Sequence, residues 1–154
     1  MTCDLALLHR GLDLLAAGGA DCWLFGGWAE ELRGHCPARS HRDIDLLCVA
    51  PNFAGVERLL ESQRVDGIEG KRFAHKRAFL LDGVMVELFL VQRDRGGLFT
   101  TFWGRYRHEW PADVLSSAAG LPVASAVALK GYREAHPTLQ RIRRGVVNAG
   151  AVWG

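Results

Sequence analysis

Residues 39–49 read Arg-Ser-His-Arg-Asp-Ile-Asp-Leu-Leu-Cys-Val, a polar, basic start that passes into an apolar strand. Asp43 and Asp45 are two positions apart on that strand, so both side chains leave the same face. Their Cα atoms are expected to lie ~6.6 Å apart at ~3.3 Å per residue. Carboxylates held this close repel one another unless a cation lies between them, and Mg²⁺ prefers such hard oxygen ligands. The alternative is a solvated strand end with two ordinary acids.

A third carboxylate lies in an apolar context further along the chain. Glu87 is surrounded by apolar neighbours in the run 84–91. Burial of an unpaired carboxylate costs several kcal/mol, so Glu87 needs a strong partner. One interpretation is a metal cluster shared with Asp43 and Asp45, and the other is a buried salt bridge to Arg42 or Lys76.

Two glycines and a basic loop precede the acidic strand. Gly26 and Gly27 follow a short apolar run and open a predicted helix, where backbone N–H groups can approach a phosphate. A plain tight turn explains the same pair. The cations Arg39, His41 and Arg42 are placed to stabilise a metal-bound triphosphate, or simply to balance the acidic strand.

The rest of the chain predicts an α+β fold, with a mixed β-sheet of about five strands and helices mainly on one face, in a single domain over 1–154. Asp82-Gly83, between two apolar runs, predicts a hairpin. The region 94–117 is predicted to be irregular. The other predicted elements are helices at 4–17, 28–32, 53–62, 124–135 and 138–148 and strands at 22–25, 43–49, 72–81 and 84–91.

Composition narrows the function classes. A net charge of +2 does not suggest the strong basic field of a general nucleic-acid binder. The four cysteines lack zinc-site spacing and indicate a reducing, cytoplasmic setting. No apolar stretch reaches ~18 residues, so we expect no membrane association.

Together, Gly26-Gly27-Trp28-Ala29 and the segment 39–46 resemble the polymerase-β-like nucleotidyltransferase superfamily, above all its small aminoglycoside 2''- and lincosamide nucleotidyltransferases. The resemblance covers roughly residues 20–92. It implies that Gly26 and Gly27 line the triphosphate, that Asp43 and Asp45 bind Mg²⁺, and that Glu87 is either a metal ligand or the general base. Glu30 and Glu31 depart from the pattern of these relatives. The late Lys-Asp element of many relatives is missing, and Lys130 is the candidate that replaces it at the nucleotide.

The resemblance implies a magnesium-dependent transfer of a nucleoside monophosphate from ATP, or another nucleoside triphosphate, to a hydroxyl of a small molecule. Aminoglycosides and lincosamides are the candidate acceptors, and a homodimer is a further expectation. Two alternatives stay open. One is a toxin–antitoxin type nucleotidyltransferase that acts on protein or RNA, and the other is a nucleotide-binding module without catalysis.

Overall fold

The computed structural model describes residues 3–148; the ends of the predicted domain, 1–2 and 149–154, lie outside that range. A short 3₁₀ turn, Glu69–Lys71, precedes the third strand. The helices are α1 (Leu5–Ala17), α2 (Gly26–Leu32), α3 (Ala54–Ser62) and α4 (Ala126–Asn148). The strands are β1 (Asp21–Phe25), β2 (Asp43–Val49), β3 (Lys76–Leu81), β4 (Val84–Asp94), β5 (Gly97–Phe102), β6 (Tyr106–Glu109), β7 (Leu115–Ala118) and β8 (Leu121–Ala124).

The strands form one mixed sheet in the order β6-β5-β4-β2-β1-β8-β7, with β3 also paired to β4. Strands β2 and β4 are parallel, as are β1 and β8, and the other pairs are antiparallel. The predicted α+β class with a mixed sheet is confirmed, but residues 3–148 form a sheet of eight strands instead of about five.

The additional strands lie mostly in 94–117, so the prediction of irregular structure there was wrong. Left-handed residues at Trp103-Gly104 and Ala119-Gly120 make the tight turns that join these strands into hairpins. Burial alternates along β5, and Thr100 donates a hydrogen bond from its hydroxyl to the Leu90 carbonyl at 2.7 Å. The two-residue alternation was the signal for a strand, but polar threonines weakened it.

The predicted hairpin at Asp82-Gly83 is confirmed. Both residues have positive φ, at 49° and 81°, which is the conformation of a two-residue hairpin turn. The turn sets the register of β3 against β4 and places Ala78 opposite Glu87.

A single long helix replaces the two helices predicted at the end of the chain. Pro137 lies inside α4, although proline removes one hydrogen bond and clashes with the carbonyl four residues earlier. Pro137 and Arg133 both lie on the exposed side, where water can satisfy that carbonyl. Burial of Leu129 and Leu139, on either side of the proline, stabilises the continuous helix.

Helices cover both faces of the sheet. Gly11 of α1 lies against Ile44 of β2, and Gly18 lies against Leu59 of α3, so these two helices share one face. On the other face Tyr132 of α4 contacts the ring of Phe25, with 4.7 Å between ring centroids. This second face also carries Asp45 and Glu87, so α4 overhangs the predicted site.

Candidate active site

Asp45 and Glu87 are direct neighbours on the parallel strands β2 and β4, and their Cα atoms are in register. Both side chains therefore leave the same face of the sheet. Asp43 lies one pleat earlier on β2 and is exposed. The sheet thus places Asp45 and Glu87 side by side, with Asp43 exposed two residues before Asp45 on the same strand.

Two lysines engage Glu87. Its Oε2 lies 3.1 Å from Nζ of Lys76, and its Oε1 lies 3.7 Å from Nζ of Lys71. Only 8% of Glu87 is exposed, and only 12% of the Lys76 side chain. The alternative of a buried salt bridge to Lys76 is therefore correct, and it coexists with the contact to Asp45. The other partner considered, Arg42, is exposed and makes no ion pair with Glu87 among residues 3–148.

Asp45 is only partly compensated by positive charge. Burial, then the charge of Glu87 and a hydrogen bond shared with it, and then the charge of Asp43, raise the pKa of Asp45 to about 7 against a smaller, opposite effect of Lys76. Its Oδ1 atom is buried without a hydrogen-bond partner. A buried acceptor in this state needs a cation or a donor, so Asp45, with the exposed Asp43 beside it, fits a divalent cation.

The three-carboxylate metal cluster is not assembled. Within the described residues 3–148, no three His, Cys, Asp or Glu side chains are grouped so that they could hold one metal ion. The physical reason is that the two Glu87 oxygens face ammonium groups. Asp43 and Asp45 are therefore the better candidates for metal ligands, while Glu87 contacts both Asp45 and the two lysines.

Gly26 has a role that only glycine can fill. Its φ is +60°, and a Cβ atom there would overlap Oδ2 of Asp45. Gly27 lies beneath the basic loop, because a Cβ atom there would come within 2.6 Å of Arg39 Nη2 and 3.1 Å of His41 Nδ1. The two glycines thus let the backbone pack against the carboxylate on one side and the guanidinium on the other.

We expect Gly26→Ala to lower both stability and activity. The left-handed conformation costs a non-glycine residue roughly 1–3 kcal/mol, and relief of the overlap displaces Asp45. Gly34→Ala is the matched control, since Gly34 has φ +75° with no atom within 4 Å of an added Cβ. Thermal unfolding and kcat measure the effect. Both variants should lose stability, but only Gly26→Ala should lose more than about tenfold in kcat, and equal activities would contradict a specific contact with Asp45.

Glu31, one of the departures from the family pattern, organises the basic loop. Its Oε1 accepts hydrogen bonds from the Arg39 backbone N–H at 2.8 Å and from His41 Nε2 at 3.0 Å. These bonds lower the pKa of Glu31. His41 is only 4% exposed and stacks on Trp28 with 4.2 Å between ring centroids. His41 therefore fixes the loop from inside, while Arg39 and Arg42 are exposed.

A cavity of about 240 Å³ opens beside Asp45 and Glu87, under α4. Tyr132 lines this cavity. Burial and the charges of Asp45 and Glu87 raise its pKa to about 12, so the phenol stays protonated. Lys130, the predicted nucleotide-binding lysine, is exposed and does not line the cavity. Its Nζ lies 3.9 Å from Oε1 of Glu134. The lining residues are Asp45, Lys71, His75, Lys76, Glu87, Phe89, Phe102, Trp103, Tyr132, Leu139, Gln140 and Arg143.

Three basic residues of the lining were missed by the sequence analysis, namely Lys71, His75 and Arg143. His75 is buried, its pKa is lowered to about 3 by burial, and its Nδ1 accepts the Trp103 backbone N–H at 3.0 Å. In the sequence, the adjacent pair His75-Lys76 within the predicted strand 72–81 was the one local feature that could have drawn attention to this residue. Lys71 and Arg143 come from a short turn and a distant helix, and neither has a local pattern that marks it.

The fold is shared with solved structures of two antibiotic-modifying enzymes. The lincosamide antibiotic adenylyltransferase LnuA, in a lincomycin-bound crystal structure, has a TM-score of 0.70 at 18% identity, over 84% of this chain and 85% of that one. ANT(2'')-Ia in complex with adenylyl-2''-tobramycin has a TM-score of 0.58 at 17% identity, over 95% and 98% of the two chains. At 17–18% identity, these two matches show a shared fold and not a shared substrate.

The family model described as aminoglycoside-2''-adenylyltransferase matches residues 7–88, more than half of the chain. The chain belongs to this family and is an enzyme of the nucleotidyltransferase class. No curated protein sequence matches it. Within residues 3–148 no helix is long and apolar enough to cross a membrane.

Proposed function

We propose that this enzyme transfers a nucleoside monophosphate from ATP, or another nucleoside triphosphate, to a hydroxyl group of a small molecule, with Mg²⁺ as its cofactor. The observation that carries the proposal is the unpartnered, buried Oδ1 of Asp45, beside Glu87 and against Gly26. A carboxylate in that state is suited to bind a cation, and the adjoining glycines and Arg39 are suited to bind a triphosphate.

Each residue has a distinct role in this proposal. Asp43 and Asp45 hold Mg²⁺, which offsets negative charge on the phosphates when it is bound. Gly26, Gly27 and Arg39 receive the triphosphate, and His41 keeps their loop in place through Glu31. These contacts fix the α-phosphorus next to Asp45.

Glu87 is the general base. Its carboxylate, oriented by Lys76, accepts the proton of the acceptor hydroxyl. The hydroxyl oxygen forms a bond to the α-phosphorus, the bond from the α-phosphorus to the bridging oxygen breaks, and pyrophosphate leaves with that electron pair. The phenol of Tyr132 stays protonated, so this residue lines the acceptor cavity without adding a charge.

The test is pyrophosphate release with ATP and Mg²⁺ over a panel of hydroxylated small molecules that includes lincomycin and tobramycin, the antibiotics named for the structures of the relatives. We expect acceptor-dependent release that is abolished by EDTA and restored by Mg²⁺. Binding of ATP without turnover on any acceptor would indicate the nucleotide-binding module instead.

A further inference from the structure

The functional groups lie in a fixed order across the sheet. Gly26 ends β1, Asp45 lies on β2, Glu87 lies on β4 and Lys76 lies on β3, and these strands are successive neighbours. In the proposed function, on which this inference rests, the triphosphate occupies the β1 side. The acceptor must therefore reach Glu87 from the β3 side, where the 240 Å³ cavity lies.

The charge of that cavity is unusual for a family named for aminoglycosides, which are polycations. Three of its lining side chains are cationic, namely Lys71, Lys76 and Arg143. Among the described residues, the carboxylates that line it are Asp45 and Glu87. Asp45 belongs to the nucleotide half of the site, and Glu87 is shared between two lysines. Apart from Asp45, the lining side chains therefore carry three positive charges against the single carboxylate of Glu87.

We propose that the acceptor carries an oxyanion group, a carboxylate or a phosphate, close to the hydroxyl that is modified, and that polycationic acceptors are excluded. Lys71 and Arg143 recognise the oxyanion, since Lys76 is almost enclosed against Glu87 and the Phe89 ring. Lys71 keeps about a third of its side chain exposed, and Arg143 is exposed on α4.

The cavity size agrees with a small acceptor. Pockets for drug-sized ligands span roughly 300–1,000 Å³, and this one is about 240 Å³. A volume of this size accommodates a single sugar-sized ring with one acidic substituent. Gln140 on the same wall supplies a neutral hydrogen-bonding group for further hydroxyls.

The experiment compares one scaffold in four charge states. Glucose, glucosamine, glucuronate and glucose 6-phosphate are each assayed for pyrophosphate release with ATP and Mg²⁺, with tobramycin as the polycation. We expect kcat/KM for the better of the two oxyanion compounds to exceed that for glucose by at least about tenfold, with glucosamine and tobramycin lowest. The carboxylate and phosphate members show which oxyanion is preferred. Equal use of glucose and both oxyanion compounds, or a preference for tobramycin, would overturn the proposal.

The variant Arg143→Glu separates recognition from general charge effects. Arg144→Glu is the matched control, because it makes the same charge change at the next, exposed position of α4, outside the cavity. We expect Arg143→Glu to remove most of the selectivity for the oxyanion compound and to leave the KM for ATP unchanged. Arg144→Glu should keep the selectivity. Equal losses in the two variants count against the proposal.

Binding keeps this inference distinguishable from the proposed function. Calorimetric titrations of glucuronate and glucose 6-phosphate into the enzyme, loaded with Mg²⁺ and a non-hydrolysable ATP analogue, need no turnover. If no acceptor releases pyrophosphate, the proposed function fails, whereas selective binding of an oxyanion compound that Arg143→Glu weakens still supports the charge inference. Absence of that selectivity in binding overturns it.

Discussion

Asp45→Asn is expected to abolish nucleotide transfer and, at the same time, to make the metal-free protein more stable at neutral pH. The activity is lost because an amide cannot replace the charge that holds the cation. We expect a fall in kcat/KM of at least about 10³-fold, on the scale of losing several kcal/mol of electrostatic stabilisation. Pyrophosphate release at saturating Mg²⁺ measures it.

The stability gain follows from the raised pKa of Asp45, about 7 in the folded protein against about 3.9 in an unfolded chain. The folded state therefore binds a proton more readily, so the free energy of unfolding falls as pH rises from about 4 to 7. Above that window the ionised group costs on the order of 2–4 kcal/mol, and asparagine removes this cost. Unfolding curves of both proteins in EDTA should diverge above pH 4 and be furthest apart at pH 8.

Asp43→Asn is the matched control for that experiment. Asp43 is exposed on the same strand, so its replacement should stop transfer but leave the free energy of unfolding nearly unchanged. Added Mg²⁺ should stabilise the wild type and neither variant. Near wild-type turnover in either variant would remove the basis for the metal site.

The positions of the acidic side chains were predictable where they depend on the local sequence alone. Asp43 and Asp45 share a face because strands alternate. The apolar run around Glu87 predicted a strand, but its place beside the Asp43–Asp45 strand was implied only by the family resemblance. Gly26 was recognisable as part of a turn, but its contact with Asp45 depends on how β1 meets β2. That contact is a matter of strand register, which sequence patterns do not specify.

The parts that sequence missed depend on tertiary packing. The partners of Glu87 include Lys71, which lies in a three-residue turn with no periodic pattern. The continuity of α4 through Pro137 depends on which side of the helix faces solvent. Glu31 looked like a departure from the family pattern, yet it anchors the loop through His41. In each case the deciding partner is remote in sequence or on another element.

Glu87→Gln is the second large effect that we expect, and it distinguishes the two roles open to this residue. Because the Glu87 oxygens face Lys71 and Lys76, we expect the residue to act as a base and not as a ligand. Glutamine keeps the shape but cannot accept a proton. We therefore expect kcat to fall roughly 10²–10⁴-fold, the usual contribution of a general base, with little change in the KM for ATP.

Metal binding provides the discriminating readout for Glu87. Mg²⁺ and ATP should still raise the melting temperature of Glu87→Gln, because Asp43 and Asp45 are intact. Glu109→Gln is the matched control: Glu109 is exposed on β6 and pairs with Arg107, so the same substitution there should leave kcat unchanged. If Glu87→Gln instead loses the stabilisation by Mg²⁺, the carboxylate must turn away from its lysines to become a third ligand. The Lys76 contact would then be a feature of the metal-free enzyme alone.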